Sequence, residues 1–243
     1  MKQASGFSLI EMAFVLVIIT LLLGGLLVPF TTQVEQRRIT ETNKAMEEVK
    51  EALLGFAIAN GRLPCPDATG DAVAPNINND GLEDRTGGVC NATQLEGNLP
   101  WVTLGVGAAD AWGNHLRYRV TQAFTDTGTF TLNAAGTLRV CTTAACAATL
   151  ATQVPAVVVS HGRNGLGAIN VNRAAGDSTR IPCPGAPPTC SADENVNLVA
   201  TNNDFVSRIL TAATTPAGEF DDTVAWLSTN ILFNRMVSAG KLP

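Results

Sequence analysis

The sequence predicts an α+β protein: a long N-terminal α-helix, transmembrane in its first half and amphipathic in its second, packed on a small antiparallel β-sheet head with disulfide-closed loops. Three observations predict it. From Phe7 to Phe30 nearly every residue is apolar, and from Thr31 to about Asn60 apolar residues recur at helical spacing among charges. Beyond them, short β-rich runs alternate with Gly-, Asn-, Asp- and Pro-rich loops, and all six cysteines lie in this part. A chain of 243 residues has room for such a helix and one head domain, and its 46% hydrophobic content is inflated by the apolar run.

The chain opens with Met1-Lys2-Gln3-Ala4-Ser5-Gly6, short and polar. No small-residue cleavage site follows the apolar run, which ends Leu27-Val28-Pro29-Phe30, so processing is expected in front of it. As a helix, residues 7–30 span roughly 36 Å, enough to cross a bilayer core with slight tilt. Glu11 interrupts the run, and an ionised side chain at mid-membrane depth costs about 2.5–3.5 kcal/mol, which marks it as functional. The stretch Gly6-Phe7-Ser8-Leu9-Ile10-Glu11 resembles the processing site of type IV pilin and pseudopilin precursors. The resemblance implies cleavage after Gly6 by prepilin peptidase, methylation of the new N-terminal Phe7, and an assembly role for Glu11, the fifth residue of the mature chain. In that role its carboxylate neutralises a neighbouring subunit's terminal amine within an apolar filament core.

Gly24, Gly25 and Pro29 predict a bend or loosening of the helix, because proline removes a helical hydrogen bond and clashes with the preceding turn. In residues 31–61, Met46, Val49, Leu53 and Phe56 form the apolar stripe, while Glu35, Arg37, Arg38, Glu41, Lys44 and Glu47 begin a solvated face. Gly61, followed by Pro64, ends the element. The head then occupies residues 62–243.

It starts with a loop through about Asn98 whose composition supports no regular element; a loop of that length is functional or crosslinked. Proximity in sequence favours the pairings Cys65–Cys90, Cys141–Cys146 and Cys183–Cys190, which suit an oxidising compartment. Within the loop, Asn76 to Asp84 alternates oxygen-bearing side chains ahead of Gly81, making Asp80 and Asp84 candidate calcium ligands, with an Asx-rich turn as the commoner explanation. Strands are expected at 115–120, 127–132, 137–142 and 156–160, and a short amphipathic helix at 229–239 closed by Gly240.

Three further stretches resemble motifs of type II secretion pseudopilins: Asp110-Ala111-Trp112-Gly113-Asn114, Ser160-His161-Gly162-Arg163-Asn164-Gly165, and Glu219-Phe220-Asp221-Asp222 through Trp226. In those relatives the last two flank a calcium-binding loop, which implies Asp221 and Asp222 as candidate ligands here, although Asn164 stands where an acid is expected. An insertion of about residues 168–218 separates the two motifs.

A net charge of −5 and a head without a basic run give no indication of nucleic-acid binding. Ser160 and His161 are sequence neighbours on a strand and point to opposite faces, so they form no nucleophile–base pair, and no phosphate-binding glycine loop occurs. The expectation is a non-enzymatic structural subunit, a minor pilin of a type IV pilus-like filament. It would be held in the inner membrane by one span with its head in the periplasm, and be extracellular after assembly. Its partners would be other pilin or pseudopilin subunits, prepilin peptidase and an inner-membrane assembly platform. A type II secretion pseudopilin is the alternative within the family, and a membrane-tethered periplasmic binding module the alternative outside it.

Overall fold

The computed structural model describes residues 8–68, 79–85, 88–90, 92–173, 177, 179–184, 190–199 and 203–242, with residues 23–30 described for their backbone. Two compact units emerge, Met1–Glu41 and Thr42–Pro243, and helix α1 (Leu9–Asn60) contributes to both.

In the first unit α1 begins with a reciprocal capping box. Glu11 Oε2 accepts from the Ser8 backbone N–H (3.0 Å) and Ser8 Oγ accepts from the Glu11 N–H (3.3 Å), which satisfies donors that a helix start otherwise leaves open. The helical backbone continues through Gly24, Gly25 and Pro29, so the expected loosening does not break the helix there. Among the described residues no helix is long and apolar enough to cross a membrane. Phe7 and the side chains of residues 23–30, part of the anticipated span, lie outside what is described.

In the second unit the remainder of α1 buries Thr42, Met46, Val49, Leu53, Leu54 and Ala57 along one face. Phe56 stays half-exposed beneath the Arg62 guanidinium, 5.2 Å from the ring centroid. Gly61 ends the helix at φ +72°, a left-handed conformation that suits glycine, and its N–H donates to Ala57 O (2.7 Å).

Two sheets follow instead of one. β1 (Glu96–Asn98), β2 (Arg117–Val120), β5 (Ala156–Ser160) and β7 (Thr223–Trp226) form an antiparallel sheet in the order β1-β2-β5-β7. β3 (Leu138–Cys141), β4 (Thr149–Val154) and β6 (Asp204–Val206) form a second sheet in the order β4-β3-β6, where β6 runs parallel to β3. β5 explains the layering. Ala156 and Val158 join Tyr118, Val120 and Leu227 in the core with the α1 stripe, whereas Val157 and Val159 pack with Leu138, Val140, Val154 and Phe205 of the second sheet. Successive strand residues face opposite sides, so a central strand between two apolar layers is buried throughout and reads as a continuous Ala-Val-Val-Val run.

Residues 127–132 are turns, not a strand: Asp126 Oδ1 accepts from Gly128 N (2.7 Å), and Phe130 is buried against Phe124. The expected antiparallel sheet is the one formed by β1, β2, β5 and β7; the parallel pair β3 and β6 belongs to the second sheet, which was not expected. The 168–218 insertion supplies α3 (Ala192–Leu198) and β6. β1, β4, β6 and β7 had no separate expectation, and β7 is the last part of the closing Glu219–Trp226 motif. Between β1 and β2 lies the one-turn α2 (Trp101–Leu104), and α4 (Thr229–Ser238) ends the fold with Leu232 and Met236 buried and Gly240 at φ +67°.

The structure contains the disulfides Cys65–Cys90, Cys141–Cys146 and Cys183–Cys190. The first closes the loop between α1 and β1, where Arg62 also pairs with Glu83 at 2.6 Å.

Candidate functional site

Two regions carry functional signal, one in each unit. Of the N-terminal residues, Gly6 and Phe7 lie outside the described residues, and Glu11 occupies the capping box. Its sequence signal, Ser-x-x-Glu before an apolar run, was present in Ser8-Leu9-Ile10-Glu11. Behind it every large apolar side chain from Leu9 to Leu22 is exposed, from 44% at Ile19 to 93% at Leu9. An exposed apolar surface of this extent marks a partner or membrane contact.

In the head, the Ser160–Gly167 turn and Asp221-Asp222 are brought together. Gly162, at φ +56°, lies so close to the chain that an added Cβ would meet Asp221 O at 2.2 Å; only glycine fits. Asp221 Oδ2 accepts from Asn164 N (2.7 Å). Asp222 is buried and accepts from Asn197 Nδ2 (2.8 Å) through Oδ2, while its Oδ1 lies 3.3 Å from His161 Nδ1. Ser160 Oγ instead donates to Asp110 Oδ2 (2.7 Å), so Ser160 and His161 are engaged separately, as strand geometry requires. Asp110 also accepts from Trp112 N (2.9 Å) and Asn114 N (3.0 Å), and Gly113 at φ +84° completes the turn into β2.

Sequence reasoning missed the groups holding the insertion. Asn197 of α3 receives the Val206 N–H (2.7 Å) and donates to Val206 O (3.0 Å), acting as a strand partner for β6. Arg117 of β2, 1% exposed, pairs with Glu96 of β1 at 2.5 Å and donates to Asn197 O. Arg119 (3.1 Å) and Arg180 (3.7 Å) approach the same Glu96. Burial pushes the Arg180 guanidinium down to about 10, aided by Arg117, and lowers Arg117 itself. His161 is lowered by burial against the opposing pull of Asp222, and is therefore a neutral imidazole. Burial likewise raises Asp221 to about 7, reinforced by Asp222 and Glu194. No local sequence signal links these groups, since the partners come from four separate elements.

The calcium expectation is tested by the donor set. Both Asp222 oxygens and Asp221 Oδ2 already have partners, leaving Asp221 Oδ1 as the unspent oxygen of the motif. Calcium takes about six to eight oxygen ligands, so the side chains of this pair would have to be joined by backbone carbonyls to make a site. Asp80 Oδ1 accepts from Leu82 N (2.8 Å), an Asx turn, and Asp84 Oδ2 accepts from Ala68 N (2.8 Å). Both lie beside Asp67, which accepts from Asn79 N (3.0 Å) and Gly81 N (2.9 Å) and organises this loop; burial raises it to about 7. Residues 76–78, which begin the candidate calcium stretch Asn76–Asp84, lie outside the described residues. Cys141, Cys146 and Asp204 form the one metal-type cluster of three among the described residues, and both sulfurs are in a disulfide.

Comparisons with curated proteins and with solved structures return no match. The prokaryotic N-terminal methylation motif matches residues 1–27, which include the Gly6-Phe7 junction, Glu11 and the first turns of α1. The chain therefore carries the N-terminal methylation motif typical of type IV pilins and pseudopilins.

Proposed function

We propose that the protein is a structural, non-enzymatic subunit, a minor pilin, of a type IV pilus-like filament. The observation that carries this reading is the N-terminal methylation motif continuing directly into the exposed apolar side chains of Leu9–Leu22. Prepilin peptidase removes residues 1–6, residues 7–30 hold the subunit in the inner membrane with its head in the periplasm, and assembly transfers the apolar helix into a filament core of other pilins. Burying that surface stabilises assembly by on the order of 10–20 kcal/mol before entropy is counted. In the core the Glu11 carboxylate exchanges its capping contacts for a neighbour's terminal amine. A buried carboxylate without a partner is too costly to retain.

The lean towards a minor subunit is steric, because a large head with a structured insertion packs poorly in a dense repeat. A type II secretion pseudopilin is the second reading, favoured by the Asp110–Asn114 turn before β2 and the Glu219–Trp226 motif that ends in β7. Expression of Glu11→Ala tests the assembly role. Loss of the protein from sheared surface fibres, with unchanged melting of the head, is expected; normal incorporation contradicts the role. Retention of the unsubstituted protein in the inner membrane and periplasm, never in sheared fibres, favours the pseudopilin reading.

A further inference from the structure

A sheet edge offers unpaired backbone groups unless something covers it, and three of the four edges in the head are dealt with. β1 is capped by Asp67, whose N–H donates to Asn98 O (3.0 Å) and whose O accepts from Asn98 N (2.7 Å). β6 is capped by the Asn197 side chain, and β4 pairs irregularly with β3 across two register shifts and carries Gln153 at φ +53°. β7 is regular and, among the described residues, uncovered. Leu227 N donates to Ala156 O (3.0 Å) and continues the antiparallel pairing of β7 with β5, which sets the phase of the strand. Thr223, Ala225 and Leu227 therefore bond to β5, while Val224 and Trp226 turn their N–H and C=O groups to the free side.

The space beside that free side is a groove of about 670 Å³. It touches four successive residues, Val224 to Leu227, whose side chains alternate between the two faces of the sheet, so it runs along the edge of the strand and not over one face. Its walls come from the layers on either side, Leu54 of α1 from one and Ser207 just after β6 from the other, with Ile231 of α4, 53% exposed, beside them. A second sheet entering this slot would bring its own covering layers against those walls; a single extended segment would not. α1 also lends the groove Glu47, Lys50 and Glu51. Lys50 and Glu47 neutralise each other at 2.8 Å, whereas Glu51 is exposed and has no partner among the described residues, so the unspent charge of the groove is negative.

We propose that the β7 edge receives an extended segment of a partner protein, which pairs with Val224 and Trp226 as a further strand of the sheet and sets a basic side chain against Glu51. Backbone pairing supplies the affinity, and Glu51 with the groove walls supplies the selectivity. The described part of a second copy offers no such segment at its C-terminal end, because Leu242 is buried and Lys241 Nζ donates to Ala59 O (3.2 Å). The inference goes beyond filament membership and stands without it, since every residue involved lies in the head.

The test is binding of a panel of labelled, end-capped heptapeptides to the full chain in detergent micelles, read by fluorescence anisotropy. The peptides carry Val, Ile or Thr at alternate positions and Arg, Ser or Glu at the centre. Arg-centred peptides are expected to bind at least about tenfold tighter than their Glu-centred counterparts, and N-methylation of one alternate set of their backbone amides is expected to abolish binding. Val224→Pro removes an N–H that faces the groove and none that bonds to β5, so it is expected to abolish binding while the head keeps its cooperative melting. Glu51→Lys is expected to reverse the preference towards Glu-centred peptides. The inference is overturned if no peptide of the panel binds, if N-methylated peptides bind equally, or if both variants bind the panel as the unsubstituted protein does. A dimer of the unsubstituted chain that Val224→Pro dissociates also overturns it, because the edge then takes a second copy. Should Val224→Pro fail to fold, Glu51→Lys and the N-methylated peptides still decide.

Discussion

At the scale of single residues, the head is held by charges and amides whose partners are far apart in sequence. Glu96 is 6% exposed and faces three guanidiniums, so its removal leaves positive charge buried without compensation. Glu96→Ala is expected to cost about 3–5 kcal/mol in denaturant unfolding, far more than the ~0–1 kcal/mol expected when the exposed Arg37–Glu41 pair is broken. Gly162→Ala forces both a left-handed non-glycine and a clash with Asp221 O, and is expected to destabilise by at least about 1–3 kcal/mol in the same measurement. His161 has a folded pKa below its ordinary value, so the folded state resists protonation and this group's contribution to stability is lost as pH falls below about 6.5. Since the chain has two histidines, an NMR titration of their ring resonances resolves it: His161 is expected to remain neutral below pH 6.5, and titration at or above that value contradicts the burial argument.

At the scale of elements, legibility followed locality. The α1 stripe was readable because Met46, Val49 and Leu53 recur at helical spacing, and β5 because Ala156–Ser160 is an unbroken apolar run. The closing helix was readable from Leu232 and Met236 with Gly240 behind them. β6 has only three residues and owes its existence to the parallel pairing with β3 and the side chain of Asn197, neither of which leaves a local pattern. Residues 127–132 alternate like a strand, but the Asx turn at Asp126 and the burial of Phe130 decide their conformation instead. In the candidate site, Asp221 and Asp222 were readable, but Glu194, Asn197 and Arg117 were not, because chain topology alone brings them there. The Cys65–Cys90 disulfide spans 25 residues, and its chain-entropy contribution is about 3 kcal/mol. Replacing both cysteines by serine is expected to lower unfolding stability by about that amount and to make the 66–89 loop the first site of proteolytic cleavage in native digests.

At the scale of the whole molecule, two units divide the labour. The head of residues 42–243 has its own apolar cores, built on the later turns of α1, and three crosslinks. The N-terminal unit presents apolar side chains to its surroundings from Leu9 to Leu22, a surface of the extent that marks a partner or membrane contact. Processing connects the two states of that surface, because only cleavage after Gly6 creates the terminal amine that Glu11 is proposed to neutralise. Mass spectrometry of the native protein's N-terminus tests this account most directly. A chain beginning at N-methylated Phe7 is the predicted result, and a mature protein beginning at Met1 or Lys2 would contradict it.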